Sequence, residues 1–371
     1  MTQTKPVIAI IAGGPSSEHQ VSLLSAYNIL QAIDQQKYHP VLLAVDRAGE
    51  WHYRADNRLI LHPQQADQVK INPDSQTVCL LPDGKAQVFD LGLKKPLFQL
   101  TAAFPIIHGP MGEDGNLQGL LNWAGVPFVG PDVLGSAVAM DKAVTKALLD
   151  QAGLPVVPYQ VVRQGQSLPD WSEITGQLGS PVFVKPCNAG SSIGVSKVKQ
   201  APELHPAIKQ ALKYDQRVLI EQAITGTELE CSVWGNDRPQ ASVVGQVVPK
   251  HEFYSYQAKY LDPEGADLLI PASISQSVQQ QVQSLAVQAF QALNLTGMAR
   301  VDFFYQPDTG QLYINELNTL PGFTNISMFP QLCQQTGLSY SQLIDELIHL
   351  AISYHQDKNS ALQHHAQAYS D

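Results

Sequence analysis

Val7 to Ala12 is an apolar, β-branched run. The break Gly13-Gly14-Pro15-Ser16-Ser17 stops it, and Leu23, Leu24, Tyr27, Leu30 and Ile33 then recur at helical spacing. A second strand is predicted at Val41 to Val45, and strands alternating with helices argue for a mostly parallel sheet. From Gly49 to Leu100 the pattern weakens into turn-rich, mixed-polarity sequence, predicted as a hairpin insertion. Ala102 to Ile107 is a further strand. It leads into His108-Gly109-Pro110-Met111-Gly112-Glu113-Asp114-Gly115, a loop at the carboxyl end of a strand, where open α/β sheets hold ligands. A domain change is expected near Gly130-Pro131, followed by one helix from Ser136 to Gln151 that carries Lys142. Pro181 to Lys185 is predicted as a strand opening the Gly- and Ser-rich loop Pro186 to Gly194, and Val218 to Glu221 as another short strand. Gly226 to Gly235 begins a third region, with an amphipathic helix at Gln276 to Leu293 and a hairpin at Arg300 to Asn318. After His355 the chain turns polar and is predicted to fray.

Composition narrows the function. The 371 residues suit two or three domains, and 44% hydrophobic content builds real cores. With 23 basic against 33 acidic residues the net charge is −10, which argues against a nucleic-acid partner, because phosphate-backbone affinity needs clustered Lys and Arg. No apolar run is long enough for a spanning helix, and Val7 to Ala12 lacks a signal peptide's length and cleavage pattern, so no membrane partner and a cytoplasmic location are expected. Cys79, Cys187, Cys231 and Cys333 form no CxxC pair, and the 11 histidines form no HExxH, so neither zinc nor a disulfide framework is expected.

Two segments carry candidate chemistry. Lys185 closes a strand and leads into Asn188-Ala189-Gly190-Ser191-Ser192-Ile193-Gly194, where glycines let backbone N–H groups approach an anion and the lysine adds a point charge. An ordinary flexible turn is the alternative. In the hairpin, a five-residue connection Gln306 to Gly310 sets Tyr305 opposite Gln311, Arg300 opposite Glu316 and Asp302 opposite Ile314. Alternation then sends Arg300, Asp302, Glu316 and Asn318 to one face, and Val301, Phe303, Tyr305, Tyr313 and Leu317 to the packed face. Two carboxylates and an amide oxygen suit Mg²⁺ bound with a nucleotide. The alternative is a solvated face with an Arg300–Glu316 surface pair.

Three further positions are open between a bland and a chemical role. Glu18, at the start of the first helix, is either a capping carboxylate or the receiver of an ammonium. His108 is either a hydrogen-bonded structural residue or an acid or base. His251 to Leu261 is an aromatic and basic loop that reads equally as an exposed connection.

The motifs together resemble the D-alanine:D-alanine ligases of the ATP-grasp superfamily. They run in that family's order from GGPSSEHQVSL (Gly13 to Leu23) through HGPMGEDGNLQG (His108 to Gly119), MDK (Met140 to Lys142), FVKPCNAGSSIG (Phe183 to Gly194) and YQAKY (Tyr256 to Tyr260), and end in ARVDFFY (Ala299 to Tyr305) and NELNTLPGFTNISM (Asn315 to Met328). The resemblance implies an α/β fold, α+β in the ATP-binding part, with three domains. These are expected at residues 1–130 with the insertion 49–100, 131–221 and 222–355, followed by a polar tail 356–371. It also implies phosphoryl transfer from ATP to one D-alanine and attack by a second, aided by two Mg²⁺ or Mn²⁺ ions and a monovalent cation, in a homodimer. By similarity Lys142, Lys185 and Lys259 contact phosphates, Glu221 and Glu228 the adenine and ribose, and Asp302, Glu316 and Asn318 the metals. Glu18, with Ser191 and Tyr260, holds the first ammonium; Arg300 and Gly322 stabilise an oxyanion; Ser327 and Met328 receive the second carboxylate; His108 lies near the first substrate. A D-alanine:D-lactate ligase and a catalytically silent nucleotide-binding protein are the competing readings, the first disfavoured by Tyr260 and the second by the intact hairpin set.

Overall fold

The computed structural model describes residues 5–250, 266–324 and 326–367. The chain opens with β1 (Val7–Gly13), α1 (His19–Ala32) and β2 (His39–Val45), where the hydrophobic pattern put them. Gly13 has φ of +97°, and a Cβ there would meet the Val45 carbonyl oxygen at 2.1 Å, so the turn out of β1 requires glycine. The segment 49–100 is more than a hairpin. It contains β3 (Trp51–Tyr53), β4 (Ile60–Leu61), β5 (Lys70–Ile71), β6 (Gln76–Leu80), β7 (Gln87–Asp90) and β8 (Lys95–Gln99), followed by β9 (Ala102–Pro105). Its strands β3, β6, β7 and β8 extend the main sheet to the order β8-β7-β6-β3-β2-β1-β9. Among the strands of this sheet, β2-β1-β9 pair parallel and the added strands pair antiparallel.

After α2 (Asn116–Ala124) the expected single helix is two, α3 (Val133–Met140) and α4 (Lys142–Gln151). Asp141 separates them in extended backbone, and its carboxylate accepts the N–H groups of Ala143 and Val144, which starts a new helix instead of continuing the old one. Then come β10 (Tyr159–Arg163), α5 (Trp171–Leu178), β11 (Val182–Pro186), β12 (Ser196–Val198), α6 (Ala201–Ala211) and β13 (Arg217–Gln222). Strands β10-β13-β11-β12 make a second, antiparallel sheet. The rest is β14 (Thr227–Gly235), β15 (Gln240–Pro249), β16 (Ala266–Leu269), α7 (Gln276–Ala292), β17 (Gly297–Gln306), β18 (Gln311–Asn318), α8 (Met328–Gln335) and α9 (Tyr340–Gln367). A third sheet, β16-β15-β14-β17-β18, is antiparallel throughout.

Each sheet has its own core, with one important crossing. Leu23 and Ile29 of α1 and Phe104 of β9 share a buried cluster with Phe323, Phe329 and the α9 residues Leu343, Ile344 and Leu347. The C-terminal helix therefore packs on the N-terminal sheet. The predicted fraying after His355 is not seen up to Gln367. Lys358 Nζ lies 2.5 Å from Asp132 Oδ2 and 3.2 Å from Asn122 Oδ1, and Tyr354 donates to the same Asp132 at 3.3 Å. Polar composition misled here because the partners lie on α2 and at the cap of α3, far away in sequence.

Lys358→Ala is expected to cost about 1 kcal/mol, since the pair is partly screened, and to lower the melting temperature by a few degrees. An unchanged melting temperature would mean that the last turns of α9 contribute nothing to the fold.

Candidate active site

The hairpin positions the site. Gln306 pairs with Gln311, so the connection is the four residues Pro307 to Gly310, and the register differs from the expected one: Arg300 lies opposite Asn318 and Asp302 opposite Glu316. Beyond Asp302 a bulge at Asn315 shifts the pairing, so that Phe303 meets Ile314 and Phe304 meets Tyr313. The expected convergence survives, because the four polar residues keep the same parity. Tyr313 does not join the packed side; it pairs with Phe304, while Leu312, Ile314 and Leu317 fill the core with Val301 and Phe303. Strand β14 adds Glu228 opposite Phe304 and Glu230 opposite Asp302 to the polar face.

Arg300 is the hub of that face. Its Nε and Nη2 donate to Asp302 Oδ1 and Oδ2, both at 2.7 Å, and Nε lies 3.0 Å from Glu230 Oε2. Asn318 Nδ2 donates to Asp302 Oδ2 at 3.0 Å. Glu316 Oε2 lies 3.5 Å from Lys142 Nζ, which donates to the Ala189 carbonyl at 2.8 Å. Glu18, Lys142, Ser191, Arg300, Glu316 and Asn318 line one cleft between the three sheets. Arg300 also reaches a neighbouring cavity of about 600 Å³ that Gly322, Ser327 and Met328 line. There Met328 is 5% exposed and its side chain packs with Val247 and Leu332.

His108 sits against the loop that follows β18. It is buried, with Nδ1 2.8 Å from the Leu320 carbonyl and Nε2 3.5 Å from Ser25 Oγ, which itself accepts the Phe323 N–H at 3.2 Å. Burial holds its pKa below the ordinary value, so the neutral ring donates through Nδ1 and clamps the loop Thr319 to Phe323. Glu113 completes the clamp by accepting the Gly109 N–H at 2.6 Å and the Leu320 N–H at 3.0 Å. Sequence reasoning quoted Glu113 in a motif and gave it no role.

A second charged cluster lies behind the phosphate-loop candidate. Buried Glu221 is paired by Lys185 at 2.5 Å and by Lys146. Burial alone would raise its pKa, but the two ammonium groups outweigh that and hold it below the usual carboxylate value. Lys146 is 1% exposed and was missed. The signal was present, since it sits at i+3 from Ala143 and i−3 from Leu149 on the buried face of α4, where a lysine needs a partner. Lys259 and Tyr260 lie outside the described residues.

Comparison with known proteins places this arrangement. The D-ala D-ala ligase N-terminus model matches residues 7–131, and the D-ala D-ala ligase C-terminus model matches residues 148–349. The chain belongs to the D-alanine–D-alanine ligase family. It is 49% identical over 347 residues to D-alanine–D-alanine ligase A of Chromobacterium violaceum, covering 93% of this chain and 94% of that one. Identity to D-alanine–D-alanine ligase A of Escherichia coli K12 is 45% over 356 residues, with 95% and 97% covered. The solved structure of the D-alanine-D-alanine ligase from Coxiella burnetii is similar with a TM-score of 0.83 and 33% identity over 98% of this chain and 99% of that one. The VanG D-Ala:D-Ser ligase of Enterococcus faecalis gives 0.81 and 32%, covering 94% and 100%. The α/β architecture is thus that of the ATP-grasp ligases.

In this family member the donor set at the hairpin fits a hard divalent cation. Asp302, Glu316 and the Asn318 amide lie on one face and carry the hard oxygen donors such an ion takes, with both Asp302 oxygens here accepting from Arg300 and Asn318. Among the described residues, no helix is long and apolar enough to cross a membrane.

Loss of solvent, and then the nearby Glu18, push Glu113 up to about 8. A carboxyl raised above its unfolded value contributes stability at low pH that is lost as pH rises towards 8. Glu113→Gln, neutral throughout, is therefore expected to gain stability relative to the parent between pH 5 and pH 8, read from urea midpoints. A difference that stays constant with pH would contradict the shifted carboxyl.

Proposed function

We propose that this chain joins two molecules of D-alanine with hydrolysis of ATP to ADP and phosphate, supplying D-alanyl-D-alanine for peptidoglycan precursors. The observation that carries the reading is the union, in one cleft, of Glu18 and Lys142 with Arg300, Glu316 and Asn318, which share a sheet face with Asp302. An oxygen of the first D-alanine carboxylate attacks the γ-phosphorus, and ADP leaves. The amine of the second D-alanine then attacks the carbonyl carbon of the D-alanyl phosphate, and phosphate departs with the carboxylate oxygen.

Each residue has a task in that sequence. Glu18, buried beside Gly109 and Gly190, receives the first ammonium, with Ser191 at the same cleft. By resemblance Lys142 and Lys185 meet the phosphates and Glu221 and Glu228 the adenine and ribose, with Glu221 here buried against two lysines. Lys185 can leave Glu221 without stranding a buried charge, because Lys146 stays behind. Arg300 and the Gly322 backbone stand where the tetrahedral oxyanion develops, and His108 and Glu113 hold that loop in place. Ser327 and the Met328 backbone receive the second carboxylate. Asp302, Glu316 and Asn318 would hold Mg²⁺ or Mn²⁺, which neutralises charge on the transferring phosphoryl. Lys259 joins the phosphate cage and Tyr260 the ammonium site by resemblance. A cytoplasmic homodimer completes the proposal.

The test is phosphate release with Mg²⁺ and ATP. Release is expected with D-alanine, with D-alanyl-D-alanine as product, and not with L-alanine; D-lactate added to D-alanine is expected to yield little depsipeptide. Release independent of D-alanine, or none with any substrate, would overturn the reading. Glu316→Gln is expected to fold normally yet lose about two or more orders of magnitude in kcat, because it removes a metal ligand at the transferring group. Near-normal turnover would refute that assignment.

A further inference from the structure

One carboxylate links the start of α4 to the glycine-rich loop after β11. Asp141 lies between α3 and α4 with φ −90° and ψ 103° and is 6% exposed. Its Oδ1 accepts the N–H groups of Ala143 at 3.1 Å and Val144 at 3.0 Å. Its Oδ2 faces the other way, accepting Asn188 Nδ2 at 3.0 Å and the Arg217 guanidinium. Asn188 is anchored again through its N–H and Nδ2, which donate to Asp215 Oδ2 at 2.8 and 3.0 Å. The neighbouring Lys142 donates its N–H to the Cys187 carbonyl at 3.0 Å and its ammonium to the Ala189 carbonyl at 2.8 Å. The two oxygens of Asp141 therefore have separate tasks. One starts the helix, and the other sets the loop against it.

We propose that Asp141 is a positioning residue for the nucleotide phosphates, holding the root of the loop Asn188 to Gly194 in register with the N-terminus of α4 and with Lys142. The inference rests on the ATP-dependent reading above. An anion is bound well by N–H groups and a cation only when they converge before it arrives, because otherwise binding must order them. The loop needs such a hold. Ser191 and Ser192 have φ of +53° and +60°, conformations that non-glycine residues keep only where the surroundings impose them. Asn188 lies three residues before Ser191, and its side chain points back to Asp141 and Asp215, so it acts on the loop's placement.

Asp141→Asn retains an acceptor for the helix N–H groups but turns an NH₂ toward the Asn188 amide and Arg217, setting donors against donors. Asn188→Ala removes the same tie and leaves the cap of α4 untouched. Calorimetry with ADP and Mg²⁺, without D-alanine, is expected to show an affinity loss of at least about tenfold in both variants, with the KM for ATP rising in step and the KM for D-alanine rising with it, since Ser191 of the same loop lines the Glu18 cleft. A melting temperature that drops while ADP affinity and both KM values stay at the parent's level would overturn the proposal and leave Asp141 as a helix cap. If Asp141→Asn does not fold, Asn188→Ala decides, and unchanged ADP affinity there overturns the proposal equally. A parent chain that binds no ADP would overturn the ATP-dependent reading, and this inference with it.

Discussion

The cleft stands on the pairing of Arg300 with Asp302 and Glu230. A guanidinium only 13% exposed needs its charge met at close range, and two carboxylates at 3.0 Å or less meet it. Register brings them together: β17 carries Arg300 and Asp302 two residues apart on one face, β14 sets Glu230 opposite Asp302, and β18 sets Glu316 there from the other side. The reverse of the same three strands is the apolar core of Leu229, Cys231, Val301, Phe303 and Ile314. A slip of one residue would bury the charges and expose the core, so site and stability are two faces of one constraint.

Around that plane, buried polar groups among the described residues tie neighbouring segments together. The Leu320 peptide is held at its N–H by Glu113 and at its carbonyl by His108, which fixes the approach to Gly322. Glu221 carries two ammonium groups, that of Lys146 fully buried and that of Lys185 slightly exposed. Asp141 joins helix to loop. These ties keep the buried charges paired in low dielectric.

How legible this was follows from the range of the forces. Alternation is local, so the polar face of the hairpin was readable even though the loop length and the bulge at Asn315 were not; parity alone decided which residues converge. The strands of the 49–100 segment are two to five residues long and mostly half-exposed, too short to print a period, although four of them join the main sheet. The break at Asp141 was hidden because the apolar positions of α3 and α4 keep one helical spacing across it, while the cap that starts α4 is a single side-chain carboxylate that periodicity does not weigh. Lys146, Glu113 and Lys358 take their meaning from partners far along the chain, such as Asp132, which lies 226 residues before Lys358.

The central claim is that the transferred phosphoryl group passes through the first D-alanine carboxylate. D-alanine labelled with ¹⁸O in its carboxylate tests it most directly, because the oxygen that attacks the γ-phosphorus leaves with phosphate when the peptide bond forms. One ¹⁸O is expected in each phosphate released in step with D-alanyl-D-alanine. Phosphate free of ¹⁸O, with dipeptide still formed, would contradict it.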